Sequence, residues 1–190
     1  MAGEMMRGSR KTMKVMVAMD DSECSFNALK WALDHLFVTP PEMGTTVLAE
    51  EPNPVEPDML VLVHVQQPFQ HYGFPAGPGG SAVYATTSVV ESVRKAQEEN
   101  SAILMSRALQ MCRTKPNVKA ETLILEGEPK DKICNATEQM HMDLLVVGSR
   151  GLGTIKRAFL GSVSDYCAHH AKCPILIVRP PKETAVPTTM

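Results

Sequence analysis

Short apolar runs alternate along this chain with stretches in which hydrophobic residues recur every three or four positions. The runs predict buried strands, whereas the three-and-four spacing predicts amphipathic helices. Strands are predicted at residues 15–19, 59–65, 118–125, 144–147 and 174–178. Helices are predicted from Glu23 until Thr39, from Val93 until Pro116, from Pro129 to Met140, and over residues 162–172. The order β-α-β-α-β-α-β-α-β implies an α/β fold with an open parallel sheet and helices on both faces.

The predicted sheet also indicates where a ligand would bind. In open parallel sheets, ligands bind beyond the carboxyl ends of the strands, where the strand order reverses. The tips after the first, second and fourth strands lie at residues 20–22, at residues 65–67 and from Gly148 onward. We therefore expect the chemistry of this protein at those three tips.

Length and composition narrow the class of protein. The 190 residues fit one domain, predicted over residues 14–179, with flexible tails at 1–13 and 180–190. A net charge of −2, with 44% hydrophobic and 21% charged residues, argues against a disordered chain and against a general polyanion binder. Two segments rich in proline, residues 40–58 and 68–82, are predicted to be loops.

The same features predict the compartment. No apolar run reaches the ~20 residues of a membrane span, and the N-terminal stretch has no apolar core of a secretory signal. Five widely spaced cysteines without a C-x-x-C pair are typical of reduced thiols. We therefore expect a cytoplasmic protein, or a nuclear one, with no membrane and no nucleic-acid partner.

One motif carries most of the functional information, and it lies between the fourth strand and the last helix. Gly148 and Gly151 leave the strand, nine residues follow, and Gly161 with Ser162 opens the helix. Glycines permit backbone angles closed to other residues and let N–H groups approach a ligand, while a helix start adds free N–H groups and a positive dipole end. The motif therefore predicts a cradle for phosphate or a nucleotide. Other side chains that could serve the phosphates are Ser162, Ser164, Arg150, Lys156 and Arg157.

With this motif, the chain resembles a universal stress protein of the plant single-domain, ATP-binding type. Gly148, Gly151, Gly161 and Ser162 match the family pattern G-2x-G-9x-G-(S/T) without gaps. The resemblance implies a three-layer, Rossmann-like nucleotide-binding fold with a five-stranded sheet in the order 3-2-1-4-5. It also implies that ATP or AMP binds. If the bound ATP is slowly hydrolysed, Mg²⁺ is expected to bridge the phosphates.

The resemblance further assigns residues to the nucleotide. Asp20, with Ala18 and Met19, would contact the adenosine, and the Asp20 carboxylate would accept bonds from two ribose hydroxyls. Val65 would pack on the adenine, and the residues of the glycine motif would hold the phosphates. The predicted nucleotide-binding residues are Ala18, Met19, Asp20, Ser22, Val65, Gly148, Ser149, Arg150, Gly151, Gly161, Ser162, Val163 and Ser164.

These features predict an adenine-nucleotide-binding regulatory protein of the stress response, whose nucleotide state is sensed by an unidentified protein partner. No catalytic residue and no metal ligand is predicted, because no side chain is evident that would activate water or a nucleophile. The last strand, from Pro174 to Val178, would leave a bare apolar edge unless a second copy pairs with it. A homodimer that acts as a nucleotide-dependent switch is therefore expected, as the resemblance also implies.

The sequence leaves two alternatives to such a switch. The same cradle could serve a slow ATP hydrolase or a nucleotidyl-transfer enzyme, in which Asp21, His64 or a residue of loop 68–82 would act near the γ-phosphate. The chain could also be a structural or protein-binding relative that has lost the nucleotide. A P-loop NTPase is excluded, because the sequence has no G-x-x-x-x-G-K-[ST] motif.

Overall fold

The structure is a computed structural model, and it describes residues 12–37, 57–67, 87–149 and 160–180. Nine elements alternate along the described chain in the predicted order. The strands are β1 (Lys14–Ala18), β2 (Asp58–Gln66), β3 (Val118–Glu126), β4 (Leu144–Gly148) and β5 (Ile175–Val178). The helices are α1 (Glu23–His35), α2 (Thr87–Cys112), α3 (Pro129–Gln139) and α4 (Ser162–His170). The predicted loop 68–82 lies outside the described residues, and so do nearly all of loop 40–58 and of both predicted tails.

Helix α2 starts earlier than the sequence predicts, at Thr87 instead of near Val93. Its first half is mostly exposed, and its buried side chains begin only at Ser101. Because the first turns bury no face, they carry no apolar period from which the helix could be recognised. Within the described ranges no helix, α2 included, is both long enough and apolar enough to cross a membrane.

The five strands of the described sheet run parallel in the order β3-β2-β1-β4-β5, which confirms the predicted fold. β1 lies in the middle, with Val17 opposite Leu62 of β2 on one side and Val146 of β4 on the other. The strand order therefore reverses between β1 and β4. Their carboxyl ends, at Ala18 and Gly148, border the crevice in which sheets of this type bind ligands.

Two apolar layers hold these strand ends in place. One face of the sheet packs on α1 and α2, and buried members of this layer include Val15, Val17, Leu29, Leu62 and Ala108. The other face packs on α3 and α4, and buried members of that layer include Met16, Val63, Ile133, Leu145 and Cys167. Since β1 is covered on both faces, it is apolar at consecutive positions, as central parallel strands are.

Candidate functional site

The turn between β1 and α1 is built around the carboxylate of Asp20. Its Oδ1 accepts one hydrogen bond from the Ser22 N–H, at 3.1 Å, and another from the Ser22 hydroxyl. Ser22 is the N-cap of α1, and its Oγ accepts from the Ser25 N–H at 3.3 Å. The buried Ser25 hydroxyl can donate to the carbonyl oxygen of Asp20, at 2.7 Å, or of Ser22, at 2.9 Å. The turn is therefore held by its own hydrogen bonds, independently of a ligand.

This turn restricts how Asp20 can meet a ligand. Oδ1 already accepts two hydrogen bonds, whereas Oδ2 accepts none from the part of the chain that the structure describes. A contact with two ribose hydroxyls would therefore have to be made mainly through Oδ2. Ser22, which was also predicted to bind the nucleotide, uses its hydroxyl to cap α1 and to orient Asp20.

Met19 and His64 tie the end of β1 to β2. The Met19 N–H donates to the Val63 carbonyl at 2.8 Å, and the His64 Nδ1 lies 2.9 Å from the Met19 carbonyl oxygen. A carbonyl oxygen only accepts, so Nδ1 carries the proton in this contact, and Nε2 is the acceptor of the neutral ring. The His64 ring is thus oriented by the backbone, and Nε2 is the atom that a general base would have to use.

Ala18 and Val65 lie on the α3–α4 side of the sheet, at the ends of neighbouring strands. The Met19 side chain points instead into the α1–α2 layer and is only 4% exposed. A contact between Met19 and adenosine would therefore involve its backbone, whose N–H is already bonded to Val63. The carbonyl oxygen of Met19 keeps a second lone pair for such a contact.

Gly148, at the end of β4, is required by packing. A Cβ built on Gly148 would lie 2.8 Å from the backbone carbon and oxygen of Cys24, which is in the first turn of α1. The backbone of Gly148 does not lie in the left-handed region. The expectation that Gly148 supplies angles closed to other residues is therefore wrong. Its missing side chain instead lets the start of α1 approach the end of β4.

Two backbone hydrogen bonds at Ser149 link the end of β4 to the start of α4 and to β5. The Ser149 N–H donates to the Val178 carbonyl at 2.9 Å, and the Ser149 carbonyl accepts from the Gly161 N–H at 2.8 Å. Gly161 has φ −66° and ψ 152°, which any residue can adopt. Gly161 was expected to offer a free N–H to phosphate, and this expectation is wrong because that N–H is bonded within the protein. The two bonds fix the position of α4 relative to the sheet.

Three amides lie at the start of α4, where a helix has free N–H groups. The first N–H groups of a helix have no partner within the helix. Gly161 is the N-cap of α4 and provides no side-chain cap. In the described chain, the N–H groups of Ser162, Val163 and Ser164 form no hydrogen bond. They lie at the positive end of the α4 dipole, which favours an anion. The Ser164 hydroxyl, in contrast, donates to the Gly161 carbonyl at 2.8 Å, within the first turn of α4.

Part of the predicted cradle falls outside the described residues. The cradle residues that lie outside the described ranges are Arg150, Gly151, Lys156 and Arg157. The parts of the cradle that the structure describes are the end of β4 and the start of α4. Across the described residues, no group of three or more His, Cys, Asp or Glu side chains could hold a metal ion.

Sequence reasoning did not identify Ser25 and Cys24 as parts of this site. Ser25 could have been found, because Asp20-x-Ser22 is typical of an Asx turn and Ser22-x-x-Ser25 of a helix N-terminus. The contact of Cys24 with Gly148 has no local signal, since it joins two distant parts of the chain.

Comparison with known protein families decides the family of this domain. The model of the universal stress protein family, Usp, matches residues 11–179. The chain belongs to the universal stress protein family. Among curated relatives, universal stress protein PHOS34 of Arabidopsis thaliana is 30% identical over 93% of this chain and 64% of its own length. The universal stress protein A-like protein of the same plant is 34% identical over 63% of this chain and 66% of its own length. The chain thus spans about two thirds of the length of these relatives.

Solved structures of the family share this fold. Universal stress protein UspA from Lactobacillus plantarum matches with a TM-score of 0.64 and 20% identity, over 89% of this chain and 99% of its own. A universal stress protein family protein from Arabidopsis thaliana, solved with AMP bound, matches with a TM-score of 0.56 and 24% identity, over 90% of this chain and 93% of its own. A universal stress protein in complex with cAMP matches with a TM-score of 0.54 and 19% identity, over 88% of this chain and 97% of its own. At these low sequence identities, the similarity to the solved structures establishes the fold alone.

The packing of Gly148 against α1 predicts the effect of a small substitution. In Gly148→Ala the new methyl group would meet backbone atoms of Cys24, which cannot rotate away, so the free energy of unfolding should fall by about 1–3 kcal/mol. Urea unfolding followed by circular dichroism measures this change. Cys24→Ala should not restore stability in the double variant, because the obstacle is backbone. A Gly148→Ala protein as stable as its parent would contradict the packing role.

Proposed function

We propose that this protein binds ATP or AMP at the carboxyl ends of β1 and β4 and acts as a nucleotide-dependent switch in the stress response. The observation that carries the proposal is that three amides at the start of α4, at Ser162, Val163 and Ser164, form no hydrogen bond within the described residues. They begin at Ser162, the last position of the glycine motif that the family's nucleotide-binding members carry. The AMP and cAMP complexes of two structural neighbours support adenine nucleotides as the ligand class.

The phosphates would be bound by backbone groups at the start of α4. A helix N-terminus presents N–H groups and a positive dipole end to an anion, and a hydrogen bond to a charged group contributes about 1.5–3 kcal/mol. The bonds of Gly161 to Ser149 and of Ser149 to Val178 hold these amides in position. Little rearrangement would then be needed on binding, which favours affinity. Because the described residues contain no metal-ligand cluster, Mg²⁺ would be held mainly by phosphate oxygens.

The nucleoside would bind at the ends of β1 and β2. Oδ2 of Asp20 is the acceptor that we assign to the ribose hydroxyls, and the hydrogen bonds of Ser22 keep the carboxylate in a fixed orientation. Ala18 and Val65 would offer small apolar surfaces to adenine from the α3–α4 side. The Met19 carbonyl orients the His64 ring through Nδ1, so only its Nε2 would be available to a ligand at this end of the site.

The proposed switch is a homodimer that pairs through the last strand, from Pro174 to Val178. β3, at one edge of the described sheet, carries an ion pair between Lys119 and Glu121 at 2.8 Å. β5, at the other edge, has only aliphatic side chains, most of them half-buried. Charged residues protect an exposed edge, whereas a bare aliphatic edge favours pairing with another copy. All five cysteines are free thiols, which supports a reducing compartment, the cytoplasm or the nucleus.

Removal of a single amide tests the phosphate site. Ser162→Pro deletes the N–H at the first position of α4, where proline fits a helix, and Gly161 already has the extended backbone that precedes a proline. Ser162 is exposed, so the ring has room. ATP affinity measured by calorimetry should fall about tenfold or more, ~1.4 kcal/mol.

Ser162→Ala is the matched control, since it removes the hydroxyl and keeps the N–H. It should retain most of the affinity, and both variants should unfold at the same temperature as the parent. If Ser162→Pro binds ATP as tightly as Ser162→Ala, the amide does not contact phosphate and the proposal fails.

A substitution at Asp20 tests the proposed contact of its Oδ2 with the ribose. In Asp20→Asn the amide oxygen can still accept both bonds from Ser22, while the amide nitrogen replaces Oδ2 with a donor. Affinity for ATP should fall about tenfold or more while the melting temperature stays unchanged, because only the ligand-facing atom differs. Asp20→Ala should lower both the affinity and the melting temperature. Unchanged binding by Asp20→Asn would exclude Oδ2 as a ligand contact.

A further inference from the structure

Two buried thiols meet between α3 and α4, on the side of the sheet away from α1 and α2. The sulfur atoms of Cys134 in α3 and Cys167 in α4 lie 3.5 Å apart, the distance of an S–H···S hydrogen bond. Cys134 is 8% exposed and Cys167 is fully buried. Both belong to the apolar layer that joins these helices to the sheet. No step of the proposed nucleotide binding uses this pair.

The distance places the pair close to the geometry of a disulfide. An S–S bond is about 2.05 Å long, so the two sulfurs would have to approach by roughly 1.5 Å. Side-chain rotation and small shifts of two neighbouring helices could share this movement. Cys112 offers a contrast, since its thiol is also buried but donates to the Ala108 carbonyl at 3.3 Å.

We propose that Cys134 and Cys167 form an oxidation site that takes a small two-electron oxidant such as hydrogen peroxide and becomes a reversible disulfide between α3 and α4. In the first step the sulfur of Cys134, the more exposed of the two, attacks a peroxide oxygen. The O–O bond breaks, one water leaves, and Cys134 becomes a sulfenic acid. The sulfur of Cys167 then attacks that of Cys134, the S–O bond breaks, and a second water leaves. Two thiols thus lose two protons and two electrons, and one peroxide becomes two waters.

The surroundings make this reaction slow at neutral pH. Burial raises the pKa of both thiols, and the neighbouring Asp131 and Cys173 raise the pKa of each further. Because the thiolate is the attacking form, the rate of disulfide formation should rise about tenfold per pH unit between about pH 7 and 8.5. A rate independent of pH over this interval would contradict thiolate attack.

A peptide map of the full chain tests the proposal. After treatment with hydrogen peroxide, alkylation and tryptic digestion, Cys134, Cys167 and Cys173 fall on separate peptides, residues 133–150, 158–172 and 173–182. We expect the first two peptides to be joined, with the loss of two hydrogen atoms, and to separate after treatment with dithiothreitol. Oxidation that joins either peptide to 173–182, or that gives only sulfinic or sulfonic acids, would overturn the proposal.

Two variants sharpen the result. In Cys167→Ala no cross-link to peptide 133–150 should form, and Cys134 should proceed to sulfinic acid because its partner is missing. Cys112→Ala, the control, should form the 133–150 to 158–172 cross-link at the parent's rate. A cross-link at peptide 133–150 that persists in Cys167→Ala would show another partner and refute the pair. The map of the parent chain decides the question even if a variant folds poorly.

Discussion

The hydrogen bond from the Gly161 N–H to the Ser149 carbonyl is the interaction on which the candidate site depends. It attaches the start of α4 to the end of β4, and the Ser149 N–H in turn donates to Val178 of β5. Because these backbone groups are used within the protein, α4 begins at a fixed point beyond the sheet. In the part of the chain that the structure describes, the next three amides, at Ser162, Val163 and Ser164, have no hydrogen-bond partner. The proposed anion site therefore depends on how the helix is anchored.

The glycines of the family motif have separate physical roles in this chain. Gly148 allows the backbone of Cys24 to lie where a side chain would otherwise be, so it brings α1 and β4 together. The Gly161 N–H donates to the Ser149 carbonyl, and the backbone of Gly161 has an ordinary extended conformation. Neither residue has a positive φ. A motif that is associated with phosphate binding thus also builds the junction of α1, β4 and α4. A substitution of either glycine should therefore be tested first for its effect on folding.

Much of the fold could be predicted from the sequence, because apolar runs and helical periods are local signals. The elements were all found, and the strand order followed from the family resemblance. The start of α2 was missed, since its first turns bury no face and leave no period. In the candidate site, the motif predicted the amides of α4 and the family resemblance predicted Asp20, and both stay predictions as nucleotide contacts. The contact of Cys24 with Gly148 and the contact of Cys134 with Cys167 depend on tertiary packing, which residue spacing does not encode. The bonding of the Asp20 Oδ1 to Ser22, in contrast, is a local Asx turn that the sequence could have revealed.

The central claim is that the first amides of α4 donate to the phosphates of an adenine nucleotide. Titration of the ¹⁵N-labelled protein with ATP, followed by ¹H–¹⁵N correlation spectra, tests it most directly. The amide protons of Ser162, Val163 and Ser164 should move to higher chemical shift on binding, while those of Ser149 and Gly161, already bonded within the protein, should move less. Saturable binding that leaves the three α4 amides unmoved would contradict the claim.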